Sequence, residues 1–435
     1  MDAATLAGII MVVSVLVMLA VSVPISVSIG LGSALAMLVF LPMKGAMLTS
    51  AQKLFSGANN FPLMAIPFFV LAGNVMNNGG IAQRLVNCAK VMAGRMPAPL
   101  AQTNVIANML FGAISGSGAA AAAAIGGTIG PLEKEDGYDP NFSAAVNICT
   151  APTGMLIPPS NTLIVYSTVA GSVSVSALFI GGYLPGILWG AACMVLVAVI
   201  AKKYGYQAEK RVPFPVAVKT VMAAIPSLLL IVIVIGGILA GVFTATEGSA
   251  IAVCYSLLLS VVYRSLDGAK LKKILLQTAE TTAIIVFMIS VSMIMSFVMA
   301  YTKIPDNIAN ALLGFTQNKY AILGIMNVVL LLIGMAMDPT PAILIFTPIF
   351  LPMCLKFGMS PVHFGIVITM NLCIGTITPP VGTILFTGCK VGGVTIESVF
   401  KWLLPFFAVT IAALFLTTYV PAISLWLPRL FGLIK

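Results

Sequence analysis

Residues 115–162 read SGSGAAAAAAIGGTIGPLEKEDGYDPNFSAAVNICTAPTGMLIPPSNT, opening on a small-residue knot and closing on a doubled proline. The same layout returns as MDPT at 337–340 and TITPPVGT at 376–383. A constant offset of 221 carries Pro131 onto Pro352, Gly137 onto Gly358, Pro140 onto Pro361, Gly154 onto Gly375, Pro158 and Pro159 onto Pro379 and Pro380, and Thr162 onto Thr383. Chain breakers falling in register over so long a stretch indicate two copies of one unit.

Composition sets the solvent. With 60% hydrophobic residues, 8% charged and a mean hydropathy of +1.10, the chain reads as a polytopic helical membrane protein and excludes a water-soluble core. The net charge of +10 does not point to nucleic acid, because the Lys and Arg sit in loops between apolar runs. The seven cysteines lie mostly within apolar runs without a CxxC pair, so they read as buried thiols.

Working outward, Pro24 divides the first apolar tract into spans at about 5–22 and 25–41, and a third follows at about 60–78. Residues 79–94 form an amphipathic helix in the interface or a surface connector. Apolar legs at 100–113 and 119–132 flank SGSG. At ~1.5 Å per residue each is about 21 Å long, short of a ~30 Å hydrocarbon core, which predicts a re-entrant hairpin. A span at about 142–167 is broken by APTG and IPPS, and another lies at about 174–201. The second copy repeats the order: spans at 217–242, 248–263 and 281–301, an amphipathic piece at 304–315, a hairpin at 320–356, a broken span at 362–388 and a last span at 402–427. Copies 1–212 and 213–435 each cross five times. Five is odd, so the copies are expected to be inverted.

On this topology Arg84, Lys90, Arg95, Lys134, Lys202, Lys203, Lys210, Arg211, Lys219, Arg264, Lys270, Lys272, Lys273, Lys390 and Lys401 share one side. Lys44, Lys53, Lys303, Lys319, Lys356, Arg429 and Lys435 share the other. The richer side is assigned to the cytoplasm, which leaves both termini outside.

Hairpin tips and broken helices expose backbone groups that survive at membrane depth only inside protein or along a polar cavity. Helix C-terminal ends there suit Na⁺ and N-terminal ends suit a carboxylate. Ser115, Gly116, Ser117 and Gly118 are placed opposite Thr150, Thr153, Gly154, Ser160 and Asn161; Asp338, Pro339 and Thr340 opposite Gly375, Thr376, Thr378 and the turn ending at Thr383. Close packing is the other reading of a single SGSG, but two copies paired with doubled prolines favour a site. Asp338, the acidic residue placed deepest, reads as a cation ligand or proton site, with helix capping as the compatible alternative. Glu247 reads as a cap behind Thr246, and the single histidine, His363, as an interfacial residue.

The SGSG knot, the EKEDGYDPNFSAA turn, the IPPS break, FTATEG and TPPVGT together resemble the large membrane subunit of tripartite ATP-independent periplasmic (TRAP) transporters over almost the whole chain. The alanine run at 119–124 departs from that pattern. The resemblance implies a sodium-coupled elevator importer of an organic acid in the bacterial inner membrane. It also implies two partners, a small four-helix membrane subunit and a periplasmic solute-binding protein. It maps one Na⁺ site to Ser115, Ser117, Gly154 and Pro158, and another to Asp338, Thr340, Gly375 and Pro379. Gly116, Thr153, Ser160, Asn161, Thr376, Thr378 and Thr383 are expected to line the solute pocket. A two-hairpin dicarboxylate carrier without a binding protein shares the repeat and differs only in motif detail. An intramembrane enzyme is disfavoured, since no Ser/Lys, Asp/Asp or His-metal constellation recurs.

Overall fold

Proline and glycine mark many of the helix ends of this protein, although Pro131, Pro185, Pro226, Pro348, Pro352 and Pro405 lie inside helices. The computed structural model describes residues 3–78, 80–171, 173–206, 213–316 and 318–434, which are helical with no strand among them. Lys210, Arg211 and Lys435 of the charge count, and the 212/213 repeat boundary, lie outside the described residues or at their edge. In the first half, α1 (Ala3–Ala20) and α2 (Ile25–Met37) are separated at Pro24, and α3 (Met43–Ala58) leads through a 3-10 turn (Phe61–Met64) into α4 (Ala65–Asn78). Then come α5 (Ile81–Ala93), α6 (Pro99–Ser115), α7 (Gly118–Glu135), α8 (Pro140–Thr150), a 3-10 turn (Ala151–Met155), α9 (Asn161–Ala170) and α10 (Val175–Tyr204). The second half consists of α11 (Phe214–Leu239), α12 (Ala245–Val262), α13 (Gly268–Thr302), α14 (Ile304–Phe315), α15 (Lys319–Gly334), α16 (Pro339–Lys356), α17 (Pro361–Gly375), α18 (Thr383–Gly392), α19 (Ile396–Tyr419) and α20 (Ala422–Leu430).

Among the described residues seven helices are long and apolar enough to span a bilayer: α1, α10, α11 from Pro215, α12, α13, α16 and α19; the bent pair α3/α4 would make eight. This is a multi-span membrane protein. Several expected boundaries move. Residues 43–58, left without an element in the sequence reading, form α3. Its mixed composition, with Lys44, Gln52 and Lys53, hides a helix that packs on α13. The span expected at 281–301 is only part of α13, whose 35 residues at ~1.5 Å each reach about 52 Å and must emerge from the bilayer. The last span ends at Tyr419 rather than 427; Pro421 starts α20, which folds back on α10. The first hairpin's legs have 17 and 18 residues instead of fourteen, because Ser115 still belongs to α6 and Gly118 already to α7.

Lipid offers no hydrophobic drive for helix association, so close approach of small residues carries the packing. A Cβ on Gly154 would lie 2.0 Å from the Cα of Gly112, and one on Gly375 would lie 2.3 Å from the carbonyl carbon of Gly334. Each hairpin's first leg is thereby pressed backbone to backbone onto its broken helix. One apolar core joins α4–α12 with α15–α20, and a smaller one joins α1, α2 and α3 to the Val291–Met299 face of α13. Trp189, fully buried, donates its indole N–H to the Cys149 carbonyl at 2.9 Å and ties α10 to the break after α8. His363 is buried in protein between α17, α19 and α20, with Nδ1 2.6 Å from Ser424 Oγ and Nε2 3.1 Å from the Thr418 carbonyl. Six of the cysteines are buried as read, whereas Cys254 is exposed on α12. Glu247 is a cap, but the N-cap is Thr244: the Thr244 N–H donates to Glu247 Oε2 at 2.7 Å and the Glu247 N–H to Thr244 Oγ1 at 3.3 Å.

Candidate functional site

The first tip is a two-residue turn. Gly116 takes φ +61, and its N–H donates to the Gly112 carbonyl, closing α6 in the left-handed cap that glycine favours. Ser117 is the N-cap of α7, its Oγ accepting from the Ala120 N–H at 3.3 Å. A Cβ at Gly116 would meet Asn161 Nδ2 at 3.3 Å and the Pro159 carbonyl oxygen at 3.4 Å, so the tip rests on the broken helix. Within that break the Pro158–Pro159 bond is cis. Ser160 and Thr162 (3.0 Å) both donate to the Met155 carbonyl, and Thr153 donates to the Thr150 carbonyl at 2.6 Å. The hydroxyls of Thr153 and Ser160 are thus turned inward to staple the break. Asn161, partly exposed, and Thr162 are the polar residues of this turn that line a cavity.

The second tip occupies 335–338. Asp338 stands at the N-cap of α16, but its carboxylate makes no cap bond; Oδ1 instead accepts from Thr383 Oγ1 at 2.9 Å. The capping alternative is therefore not used by the side chain. Asp338 is exposed to a cavity, and among the described residues Glu133 rather than Asp338 is the acidic residue most deeply buried in protein. The Val381 N–H donates to the Met335 carbonyl at 3.2 Å, fastening the tip to the TPPVG turn, where Pro379–Pro380 is also cis. Thr376 and Thr378 donate to the Cys373 (2.7 Å) and Ile374 (2.8 Å) carbonyls; the Thr376 carbonyl receives the Ile384 and Leu385 N–H groups at the start of α18.

Two adjoining cavities, about 230 and 340 Å³, lie between these tips and α13. Ser117, Met155, Thr281, Ile285 and Thr340 line both, so the halves share one polar space. Ser115, Gly116 and Asn161 line the smaller cavity; Gly118, Asp338, Thr376 and Thr383 line the larger. The N-terminal ends of α7 and α16 open directly into it. No Lys or Arg lines either cavity among the described residues.

The family described as "Tripartite ATP-independent periplasmic transporter, DctM component" matches residues 12–423. The chain belongs to that family. As a DctM component it is 42% identical to the isethionate TRAP transporter permease protein DctMQ of Oleidesulfovibrio alaskensis, covering 86% of this chain and 59% of that one. It is 37% identical to the C4-dicarboxylate TRAP transporter large permease protein DctM of Pseudomonas aeruginosa, covering 92% of this chain and 93% of that one. The solved YdaH transporter of Alcanivorax borkumensis shares the fold, with a TM-score of 0.64 at 13% identity over 88% of each chain. The resemblance drawn from SGSG, IPPS and TPPVGT therefore holds, and the protein is a TRAP large permease of all-helical fold.

For this permease, the sequence reading missed the wall that α4 and α13 supply. Asn74 of α4 donates to Thr278 Oγ1 at 3.0 Å, and Thr281 follows one helical turn on. Polar residues within otherwise apolar runs were the available signal, and α13's unbroken length hid which face they occupy.

Proposed function

We propose that this permease drives sodium-coupled import of a small organic acid by an elevator movement of its two hairpins and broken helices. It would work in the bacterial inner membrane with a small four-helix subunit and a periplasmic solute-binding protein. The halves 1–212 and 213–435 are then inverted repeats of five crossings each, with both termini periplasmic. The observation that carries this reading is the shared cavity: it presents Asp338, helix N-termini and hydroxyls, but no basic side chain among the described residues. A carboxylate or sulfonate entering beside Asp338 meets only the partial positive charge of the helix N-termini, and bound Na⁺ offsets the Asp338 carboxylate. Ser115, Ser117, Gly154 and Pro158 at the first tip, and Asp338, Thr340, Gly375 and Pro379 at the second, are assigned to that ion. Gly116, Asn161, Thr376 and Thr383, which line the cavities, are assigned to the solute, while Thr153, Ser160 and Thr378 hold the turns behind it. The names of the relatives favour a short organic acid, and cavities of this size suit one.

Proteoliposomes with an inward Na⁺ gradient test the reading. Uptake should appear only when permease, small subunit and binding protein are all present, and should vanish when Na⁺ is replaced by choline. Na⁺-driven uptake by the permease alone would leave the two-hairpin carrier as the better account.

A further inference from the structure

A second buried polar cluster lies at the other end of the first hairpin. Glu133, in the last turn of α7, is fully buried, and neither carboxylate oxygen closes a hydrogen bond. Asn104 of α6 and Ser143 of α8 turn their polar groups toward it, and neither Asn104 Nδ2 nor Ser143 Oγ has another partner. All three line a cavity of about 310 Å³ that α18 closes through Gly388, Val391 and Gly392. Glycine makes the room: a Cβ at Gly130, also in this wall, would meet nothing within 4 Å.

A carboxylate taken out of water needs a counter-charge. Asn104 Oδ1 already accepts from Asn108 Nδ2 at 2.8 Å, so what Asn104 offers Glu133 is an N–H donor, which suits an ionised oxygen. Glu133 forms no ion pair among the described residues, and Lys134 at the rim is exposed. Two carboxylate oxygens and a hydroxyl make a hard oxygen donor set, with space for water to complete a shell. One negative charge matches one positive charge. We propose that Glu133 and Ser143, with Asn104 orienting the carboxylate, bind a monovalent cation at a station separate from the hairpin-tip sites. That the ion is Na⁺ rests on the sodium-coupled reading; the station itself does not. A buried polar track runs from the station to the break after α8: Asn108 Nδ2 also reaches Asn147 Oδ1 at 3.1 Å and Thr150 Oγ1 at 3.0 Å, and Thr153 bonds the Thr150 carbonyl.

Equilibrium binding of radioactive Na⁺ to the purified complex tests the station. Glu133→Gln should bind one Na⁺ fewer than the native complex, and Ser143→Ala, which keeps the charge, should bind that ion about tenfold more weakly. Asp338→Asn should leave this ion in place, so the double variant Glu133→Gln/Asp338→Asn loses more than either single one. Loss of Na⁺-driven uptake with the Glu133-dependent ion still bound would count against the coupling mechanism and for the station. Unchanged count and affinity in Glu133→Gln overturns the station, as does a variant that alters only the pH dependence of uptake, which would assign a proton. If Glu133→Gln fails to fold by size-exclusion chromatography, Ser143→Ala decides alone, and native affinity there overturns the proposal.

Discussion

The two hairpin tips turn differently and use the residue at the cap differently: Gly116 closes the first in the left-handed region, whereas the second runs through Met335 in the right-handed region to Asp338. Ser117 and Asp338 correspond at the offset of 221, and each stands at the N-cap of its outgoing helix. Ser117 spends its side chain on the cap, whereas Asp338 leaves the cap and bonds Thr383 across to the broken helix. Their surroundings differ likewise. α6 is buried along nearly its whole length, whereas α15 exposes Tyr320, Ile325, Val328, Val329 and Leu332. One tip is encased and internally satisfied; the other sits at an edge with a charge to spare. At one tip the cap side chain is consumed locally; at the other it is left to face the cavity.

The sharpest way to break the comparison is orientation, an all-or-none effect. Cysteines placed at Lys134 and Lys272, on a background without the native thiols, should label only from the cytoplasm, and one at Lys319 only from outside. Labelling of Lys134 and Lys319 from one side would end the inverted-repeat account.

Next in size is the backbone contact that both tips share. Gly154→Ala and Gly375→Ala each force a methyl into backbone, so each should destabilise the purified permease by about 3 kcal/mol or abolish its expression. Gly130→Ala, with open space, should behave as native in thermal unfolding. Tolerance of alanine at Gly375 alone would mean that only the encased tip needs close contact.

Charge should separate the tips more finely. Asp338→Asn is expected to raise the Na⁺ concentration for half-maximal uptake at least about tenfold while leaving thermal stability near native. Ser117→Ala should do the reverse, costing about 1 kcal/mol of stability through the lost cap with a smaller change in Na⁺ response. Equal Na⁺ responses in the two variants would erase the functional difference. The smallest expected effect belongs to Thr383→Val, which removes one hydrogen bond from Asp338 and should shift Na⁺ dependence by a few fold.

What the sequence determined by itself were features that rest on local chemistry. Pro24 and the doubled prolines Pro158–Pro159 and Pro379–Pro380 cannot donate, so the division of the first tract and both broken spans were legible from them, while the hairpin turns were legible from SGSG and MDPT. Hydropathy likewise located most spans. Tertiary structure decided the remainder, because it depends on which face meets which neighbour. α3 and the full length of α13 carry too many polar residues for hydropathy to reveal, and they become helices packed on each other. Only the folding of α19 and α20 over α17 gives His363 its buried partners, Ser424 and the Thr418 carbonyl. The hydroxyls of Thr153 and Ser160 donate to the Thr150 and Met155 carbonyls within the broken turn itself, a detail that residue type alone does not show. Glu133, in the hydrophilic run EKEDGYDPN, reads as a solvated turn residue; only the closure of α6, α8 and α18 around it takes its carboxylate out of water.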